Sequence, residues 1–364
     1  MKEFKGFKKG MGIGGWLTNY KRFHVLSADN MDLLTIGDIE HFNSYITEKD
    51  VINIAKMGFD HIRLGFDQVV LQRANGEFIE EHFNLIDNFI GWCEKHNLNV
   101  VLNLHKARGS YCDVLTDKDL LTDFKLQQKF IDFWLYFEHR YSDKKEVVFE
   151  LLNEVKDVEP SLWNDLYEKT IESIRKINKN RKIIVGTINW NDPNNLKDIR
   201  VLDDENVIYT FHFYAPFEFT HQRGVLQHNT CLYNRDMPYP TDDIARYVDY
   251  RKTFGPDGIY DGFSKMDKEY IHHALKPVKD FIDNNPNKIL WCGEFGNIRH
   301  AKLEWRKKWF SDVIEFLVNN GVPYSVWNYL STPNDGNRFS LVDDDTRKIL
   351  SEDFRQILLG EKRV

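Results

Sequence analysis

Eight short apolar runs, separated by longer amphipathic segments, constrain the fold of this 364-residue chain more than any other feature. Near-continuous apolarity, rather than strict alternation, is typical of parallel strands that are covered on both faces. The predicted strands are residues 11–17, 61–66, 99–105, 147–154, 182–189, 206–214, 288–296 and 323–330. Alternating strands and helices fit either a doubly wound open sheet or a barrel, and the count of eight favours a (β/α)8 TIM barrel, an α/β fold.

The segments between the runs carry helix signals. Thr47 stands before EKDVINIAKM and Gly58 after it, which predicts an N-cap and a terminal glycine for the first long helix. Apolar residues at helical spacing predict further helices over 80–97, 123–141, 160–178 and 303–321.

Two stretches lack this rhythm, residues 18–46 after the first strand and residues 215–267 after the sixth. Long structureless loops are uncommon in compact domains, so both are predicted to be functional, and 215–267 to form an inserted subdomain. With no repeat or linker in view, residues 1–364 are predicted to be a single barrel domain. Both insertions would then lie at its C-terminal face, where barrels build their active sites.

Composition excludes several classes of function. A net charge of −7 argues against nucleic acid as a partner, because phosphate recognition needs a basic face. The sequence holds no apolar run of transmembrane length, and MKEFKGFKKG at the start has no signal-peptide core. The chain as written is therefore predicted to be cytoplasmic and monomeric without a membrane partner, or secreted if an export signal has been trimmed away.

Polar side chains cluster where the apolar runs end. A single polar residue after a buried strand is ordinary, because the chain exits into water there. Recurrence on six strands predicts an active site at the mouth of the barrel instead. The residues concerned are Arg63, His105, Asn153, Glu154, His212, Tyr214, Glu294, Trp327 and Asn328.

Two of these residues are carboxylates, and cleavage of a glycosidic bond needs a pair of them, one as acid and one as nucleophile. Glu150 and Glu154 cannot form the pair, because four residues of one strand separate them by about 13 Å. Strands four and seven of a barrel can aim Glu154 and Glu294 into one mouth, so these two are predicted to be catalytic. Glu150 is predicted to be a structural acid, paired inside the barrel.

Several segments resemble signatures of glycoside hydrolase family 5, the cellulase family A. They are FELLNEV, YTFHFYAPFEFTHQ, CGEFG and VWNY, with IRLGF and VVLNLH similar to the family's second- and third-strand motifs. The likeness runs from Gly10 to about Leu359. Within the family the chain is similar to the endoglucanase C type of clostridial cellulases, which also carries an insertion after the sixth strand.

The resemblance implies a role for each residue. Glu154 would be the general acid/base and Glu294 the nucleophile of a retaining mechanism without cofactor or metal. Asn153 would bind the sugar 2-OH, while Arg63 and Tyr214 would support Glu294. His105 and His212 would bind hydroxyls or support the carboxylates, and Trp327 would floor the subsite of the attacked sugar. The implied substrate is a β-glucan, cleaved internally at β-1,4 bonds.

Alternatives remain open at this point. Mannan, glucomannan or β-1,3-glucan cleavage would use the same catalytic set, and a noncatalytic glycan-binding barrel would keep the aromatic residues but lose a carboxylate. The family's usual Pro after Asn-Glu is Val155 here, which leaves substrate preference unsettled. Trp16, Tyr111 and Trp190 follow strand ends and are predicted either to stack on sugars or to pack in the core.

Overall fold

The computed structural model describes residues 2–18, 36–112, 117–226, 228–256, 258–332 and 336–364. Most of the predicted connection 18–46 and two positions of the predicted insertion 215–267 therefore lie outside the described residues.

In the described part of the chain, eight parallel strands close into a barrel, each pairing with its neighbour in sequence and the last pairing with the first. Closure excludes the open sheet and confirms the predicted (β/α)8 architecture. The strands are β1 (Lys9–Leu17), β2 (His61–Asp67), β3 (Asn99–Lys106), β4 (Val147–Glu150), β5 (Ile183–Val185), β6 (Val207–Phe213), β7 (Ile289–Phe295) and β8 (Tyr324–Val326). β4, β5 and β8 end earlier than predicted.

The five predicted helices are present. Thr47 donates to Asp50 Oδ2 from its backbone N–H and its hydroxyl, both at 2.9 Å, which caps the helix Glu48–Met57. Gly58 ends that helix with φ 99°, a conformation that favours glycine. The helices are α1 (Ile36–Ser44), α2 (Glu48–Met57), α3 (Gln68–Leu71), α4 (Glu80–Lys95), α5 (Phe124–Arg140), α6 (Pro160–Arg175), α7 (Ile188–Asn191), α8 (Phe217–Thr220), α9 (His228–Tyr233), α10 (Ala245–Phe254), α11 (Lys268–Ala274), α12 (Lys276–Asn284), α13 (Leu303–Asn319) and α14 (Glu352–Leu358).

The barrel interior is packed at its N-terminal end. Phe4 and Phe7 precede β1, stack on each other with ring centroids 4.4 Å apart, and cover a cluster of inward-facing strand residues. That cluster consists of Val101, Val148, Ile184, Ile208, Ile289 and Trp291. Because this end is filled with apolar side chains, a polar site has room only at the opposite, C-terminal mouth.

The segment after β6 contains α8, α9 and α10. Glu218 of α8 is buried, forms an ion pair with Arg251 of α10, and accepts a hydrogen bond from the Tyr260 hydroxyl at 2.5 Å. These contacts join α8, α10 and Tyr260 within the segment. That residues 215–267 form an inserted subdomain remains a prediction. None of the described helices combines the length and apolarity needed to cross a membrane.

Candidate active site

Glu294 lies on β7 at the C-terminal mouth and holds one donor on each of its carboxylate oxygens. Arg63 of β2 donates from Nη1 to Oε2 at 2.7 Å, and the hydroxyl of Tyr214, just past β6, donates to Oε1 at 2.6 Å. Burial, followed by the charge of Glu294, raises the pKa of Tyr214 well above its ordinary value. The phenol therefore keeps its proton and acts as a donor to Glu294.

Arg63 is held from below by Glu150, the last residue of β4. Nε of Arg63 donates to Oε2 of Glu150 at 2.7 Å, Nη2 donates to Oε1 at 2.8 Å, and neither side chain is exposed. Burial alone would lower the pKa of Arg63, but the charge of Glu150 and then that of Glu294 raise it above its ordinary value. The structure thus places Glu150 inside the barrel in an ion pair, as the sequence predicts.

Asn153 and Glu154 follow β4 rather than lying on it. The Asn153 side chain accepts a hydrogen bond from Arg63 Nη2 at 2.6 Å through Oδ1, which directs its Nδ2 away from the guanidinium. The backbone N–H of Asn153 donates to the carbonyl of Leu104 in β3 at 2.9 Å. This tether continues the path of β4 for a few residues and carries both side chains to the mouth.

Glu154 contacts His212 of β6, whose Nδ1 lies 2.8 Å from Glu154 Oε1. The other ring nitrogen, Nε2, lies 3.5 Å from Arg63 Nη2, which can only donate. Both Nη2 protons are donated to Glu150 and Asn153, so this contact is electrostatic only. A proton on Nε2 would face the guanidinium charge, so Nδ1 carries the proton and donates it to Glu154. Burial lowers the pKa of His212 to about 4 against the opposing charge of Glu294, so this imidazole is neutral near pH 7.

Glu154 and Glu294 face one another across the mouth. Ligand atoms of Glu154, His212 and Glu294 all lie within 4.8 Å of one another. Retaining glycosidases hold their two carboxyl groups about 5–5.5 Å apart, whereas inverting ones keep them about 6.5–9.5 Å apart to admit a water molecule. The three residues could by spacing hold a cation, but the Arg63 guanidinium, 2.7 Å from Glu294, already supplies positive charge there.

His105 and Trp327 form a second group beside the carboxylates. Their rings lie nearly parallel, 7° apart, with centroids separated by 5.7 Å. Burial lowers the pKa of His105 well below its ordinary value, and its Nδ1 lies 3.1 Å from Asn103 Oδ1. The half-buried Trp327 is thus backed by a neutral imidazole.

Two glycines of β1 make room for Trp327. A Cβ atom at Gly12 would lie 2.8 Å from the indole, and one at Gly14 would lie 2.4 Å from it. Both distances are below those that real side chains show, so the ring lies against bare backbone. This function of the MGIGGWL glycines escaped the sequence-based prediction, although repeated glycine inside a strand is a recognised sign of close approach.

Trp16, Tyr111 and Trp190 were each predicted either to stack on a sugar or to pack in the core, and the structure separates them. Trp16 is buried in the core and donates from Nε1 to the carbonyl of Phe42 at 2.7 Å, and Tyr111 is buried as well, so neither can stack on a sugar. Trp190 is 36% exposed, so part of its side chain is open to solvent. Lys156, a buried cation two residues after Glu154, was missed because a lone lysine in a loop carries no sequence signal.

Comparison with known proteins gives consistent results. The model of the cellulase family, glycosyl hydrolase family 5, matches residues 26–332. Endoglucanase C of Acetivibrio thermocellus is 35% identical over 361 residues, which are 98% of this chain and 99% of that protein. Cellodextrinase A of Ruminococcus flavefaciens is 28% identical over 88% of this chain and 85% of its own length. The structure of Thermotoga maritima Cel5A in complex with cellobiose aligns with TM-score 0.72 at 24% identity, covering 97% of this chain and 98% of that one.

Proposed function

Because this chain belongs to glycosyl hydrolase family 5, we propose that it is a retaining endo-β-1,4-glucanase acting on cellulose-type and mixed-linkage β-glucans. One observation carries the mechanism: two glutamates in unlike surroundings approach within 4.8 Å at the barrel mouth. Identity of 35% to an endoglucanase over nearly the whole of both chains supports the substrate class.

Glu294 is proposed as the nucleophile. Its carboxylate attacks the anomeric carbon, and a carbon–oxygen bond to the enzyme forms while the glycosidic bond breaks. Arg63 and Tyr214 each hold one oxygen of Glu294, so the attacking group is oriented before substrate arrives. The same two donors stabilise the carboxylate when the second step releases it.

Glu154 is proposed as the general acid/base. It gives its proton to the departing glycosidic oxygen, and in the second step it takes a proton from the water that attacks the glycosyl-enzyme. Its side chain is 17% exposed, compared with 7% for Glu294, so solvent can reach it between the two steps. Two displacements at one carbon return the product with the β-configuration of the substrate.

The remaining residues support binding of the attacked sugar. Asn153 Nδ2 is directed away from Arg63, which suits donation to the 2-OH of the sugar. Trp327 offers an apolar face for that sugar, with His105 beside it. Trp190 donates its backbone N–H to the carbonyl of Val155, next to the proposed acid, which supports a place for its ring on the leaving-group side.

The test is an assay of the purified chain on barley β-glucan, carboxymethyl-cellulose, laminarin and glucomannan, comparing viscosity loss with release of reducing ends. Rapid viscosity loss on the first two substrates is the expected result, with the β-anomer appearing first by NMR. Preferred cleavage of laminarin or glucomannan would transfer the chain to another activity of its family. Initial formation of the α-anomer would refute the retaining mechanism, and no turnover on any substrate would favour a glycan-binding role.

A further inference from the structure

Lys156 is a buried cation that the catalytic steps above do not use. Its side chain follows Glu154 by two positions, and the residue is 2% exposed. The ammonium group donates to the backbone carbonyl of Tyr111 at 3.0 Å and to that of Asp117. A buried charge is costly unless it is hydrogen-bonded, so these carbonyls must stay where Lys156 can reach them.

The two carbonyls belong to the segment between β3 and α5, called the β3 loop below. The Tyr111 N–H also donates to Oδ2 of Asp117 at 2.9 Å, which brings the same two residues together a second time. Lys156 itself belongs to the loop after β4. The ammonium therefore fastens the base of the β3 loop to the segment that carries Glu154.

The segment after β5, which includes the irregular one-turn α7, rests on both of these loops. Asn189 and Trp190 have φ values of 56° and 55°, in the left-handed region that non-glycine residues rarely adopt. Their backbone N–H groups donate to the carbonyls of Lys156 at 3.2 Å and Val155 at 2.7 Å. Backbone strain of this kind persists where the surroundings hold it, and it is common at functional sites.

The indole of Trp190 makes the third connection. Its Nε1 donates to the carbonyl of Cys112, the neighbour of Tyr111, at 3.2 Å. The backbone of Trp190 is thus held by the β4 loop and its ring by the β3 loop, while Lys156 joins these two loops to each other. Moving either loop would tilt the partly exposed indole with respect to Glu154.

We propose that Lys156 is a positioning residue that sets the orientation of Trp190 relative to Glu154, and thereby the binding of β-linked glucose units on the leaving-group side of the cleft. The proposal rests on the proposed function. Lys156 itself does not contact the sugar, because it lies buried beneath the loops, and it acts through the placement of the indole ring.

The test compares two substrates that differ on the leaving-group side, cellohexaose and an aryl β-cellobioside with an activated leaving group. Lys156→Met keeps the aliphatic stem and removes the ammonium, while Lys156→Gln retains a donor of shorter reach. We expect the ratio of kcat/KM on cellohexaose to that on the aryl substrate to fall about tenfold in Lys156→Met, chiefly through KM. A smaller fall is expected in Lys156→Gln.

Lys118→Met is the matched control. Lys118 also joins the β3 and β4 loops, since its Nζ donates to the carbonyl of Asp157 at 2.6 Å, but it is exposed. This variant should keep the wild-type ratio. An equal fall in Lys118→Met would show that general tethering of the loops is responsible and would overturn the proposal.

Trp190→Leu tests the proposal without any change at Lys156. The substrate ratio should fall in Trp190→Leu, and adding Lys156→Met should produce little further loss, because the two residues act through one ring. An unchanged ratio in Trp190→Leu, or fully additive losses, would overturn the proposal. Failure of the proposed function would instead appear as wild-type protein that does not cleave cellohexaose.

Discussion

Arg63 connects Glu150 to Glu294: two of its nitrogens donate to the fully buried Glu150, and the remaining one, Nη1, donates to Glu294 at 2.7 Å. An acid that cannot reach substrate thus determines where the guanidinium lies beside the proposed nucleophile. This relationship ties the stability of the barrel interior to the geometry of the site, and the two effects can be separated by mutation.

Glu150→Gln is expected to lower the free energy of unfolding by about 3 kcal/mol, because it removes one charge of a buried ion pair. It should also lower kcat/KM at least about tenfold, since Arg63 is no longer held on two bonds while it supports Glu294. Urea unfolding measures the loss of stability. Initial rates on β-glucan, taken where the variant is fully folded, measure the loss of activity.

Glu138→Gln provides the comparison for that variant. Glu138 pairs with Arg181 at 2.7 Å, with side chains that are 0% and 2% exposed. Arg181 also donates to the carbonyl of Val147, the first residue of β4, so the pair lies at the N-terminal end of the barrel. A similar loss of stability is expected with wild-type kcat/KM. Equal losses of activity in the two variants would mean that Glu150 acts through stability alone.

Glu294→Gln should reduce turnover by more than about 10³-fold, because an amide cannot form the glycosyl-enzyme. The side chain keeps its shape and Arg63 keeps its two bonds to Glu150, so the variant should still fold, with a loss of stability no larger than in Glu150→Gln. Steady-state rates and a thermal melt decide the matter. Substantial turnover in a preparation shown by mass spectrometry to be fully substituted would contradict the nucleophile assignment.

Glu154→Ala should retain activity only on substrates with activated leaving groups, which depart without a proton. Added azide should then restore turnover, because a small anion can enter the vacated space and attack the glycosyl-enzyme. The expected product is a glycosyl azide of β-configuration, identified by NMR. A glycosyl azide of α-configuration would assign Glu154 the role of nucleophile instead.

Acidification should destabilise the protein partly through His221. This buried residue stacks on Phe217 with ring centroids 3.9 Å apart, and burial lowers its pKa to about 3. In the unfolded chain the imidazole binds a proton below about pH 6.5, whereas in the folded chain it does so only near pH 3. Stability is therefore full above pH 6.5 and falls as pH decreases toward 3.

His221→Leu should remove this contribution. The loss of unfolding free energy between pH 7 and 4.5 is expected to be about 3 kcal/mol smaller in the variant than in the wild type. Urea unfolding at several pH values measures the slope of the unfolding free energy against pH. His139→Leu, which replaces an exposed histidine on α5, should keep the wild-type slope, and a parallel change in both variants would contradict the assignment to His221.

The strands and long helices could be predicted because each has a pattern that is visible in its own local sequence. Covered parallel strands must be apolar along their length, and surface helices must show a 3.6-residue period, so both patterns are visible without tertiary knowledge. The C-terminal end of β4 could not be predicted, because VVFELLNE is one apolar run although the strand stops at Glu150. The tether from Asn153 to Leu104, which carries the chain onward, is a long-range contact.

The polar residues of the site were predictable for a related reason. Side chains at the C-terminal ends of barrel strands must converge, so His212 and Glu294 were recognisable from their positions. Arg63 is only the third residue of β2 and reaches Glu294 through the length of its side chain. Trp16 could not be distinguished from Trp190 in this way, because Trp16 lies within β1 and its burial depends on the elements that pack against that strand. The role of Lys156 could not be predicted, because its partners are backbone carbonyls, which every residue has and no sequence pattern marks.

Glu294 belongs to β7, which is hydrogen-bonded between β6 and β8, whereas Glu154 follows the last residue of β4 by four positions and stands among loops. The proposed nucleophile thus lies on a strand of the barrel, and the proposed proton donor lies in a loop above it. Exchange of the loops after β3, β4 and β5 between relatives is expected to change which leaving sugars are accepted while nucleophilic attack is preserved. The sugars on the two sides of the cleaved bond would then be recognised by different regions of the chain, and each region could change in evolution without the other.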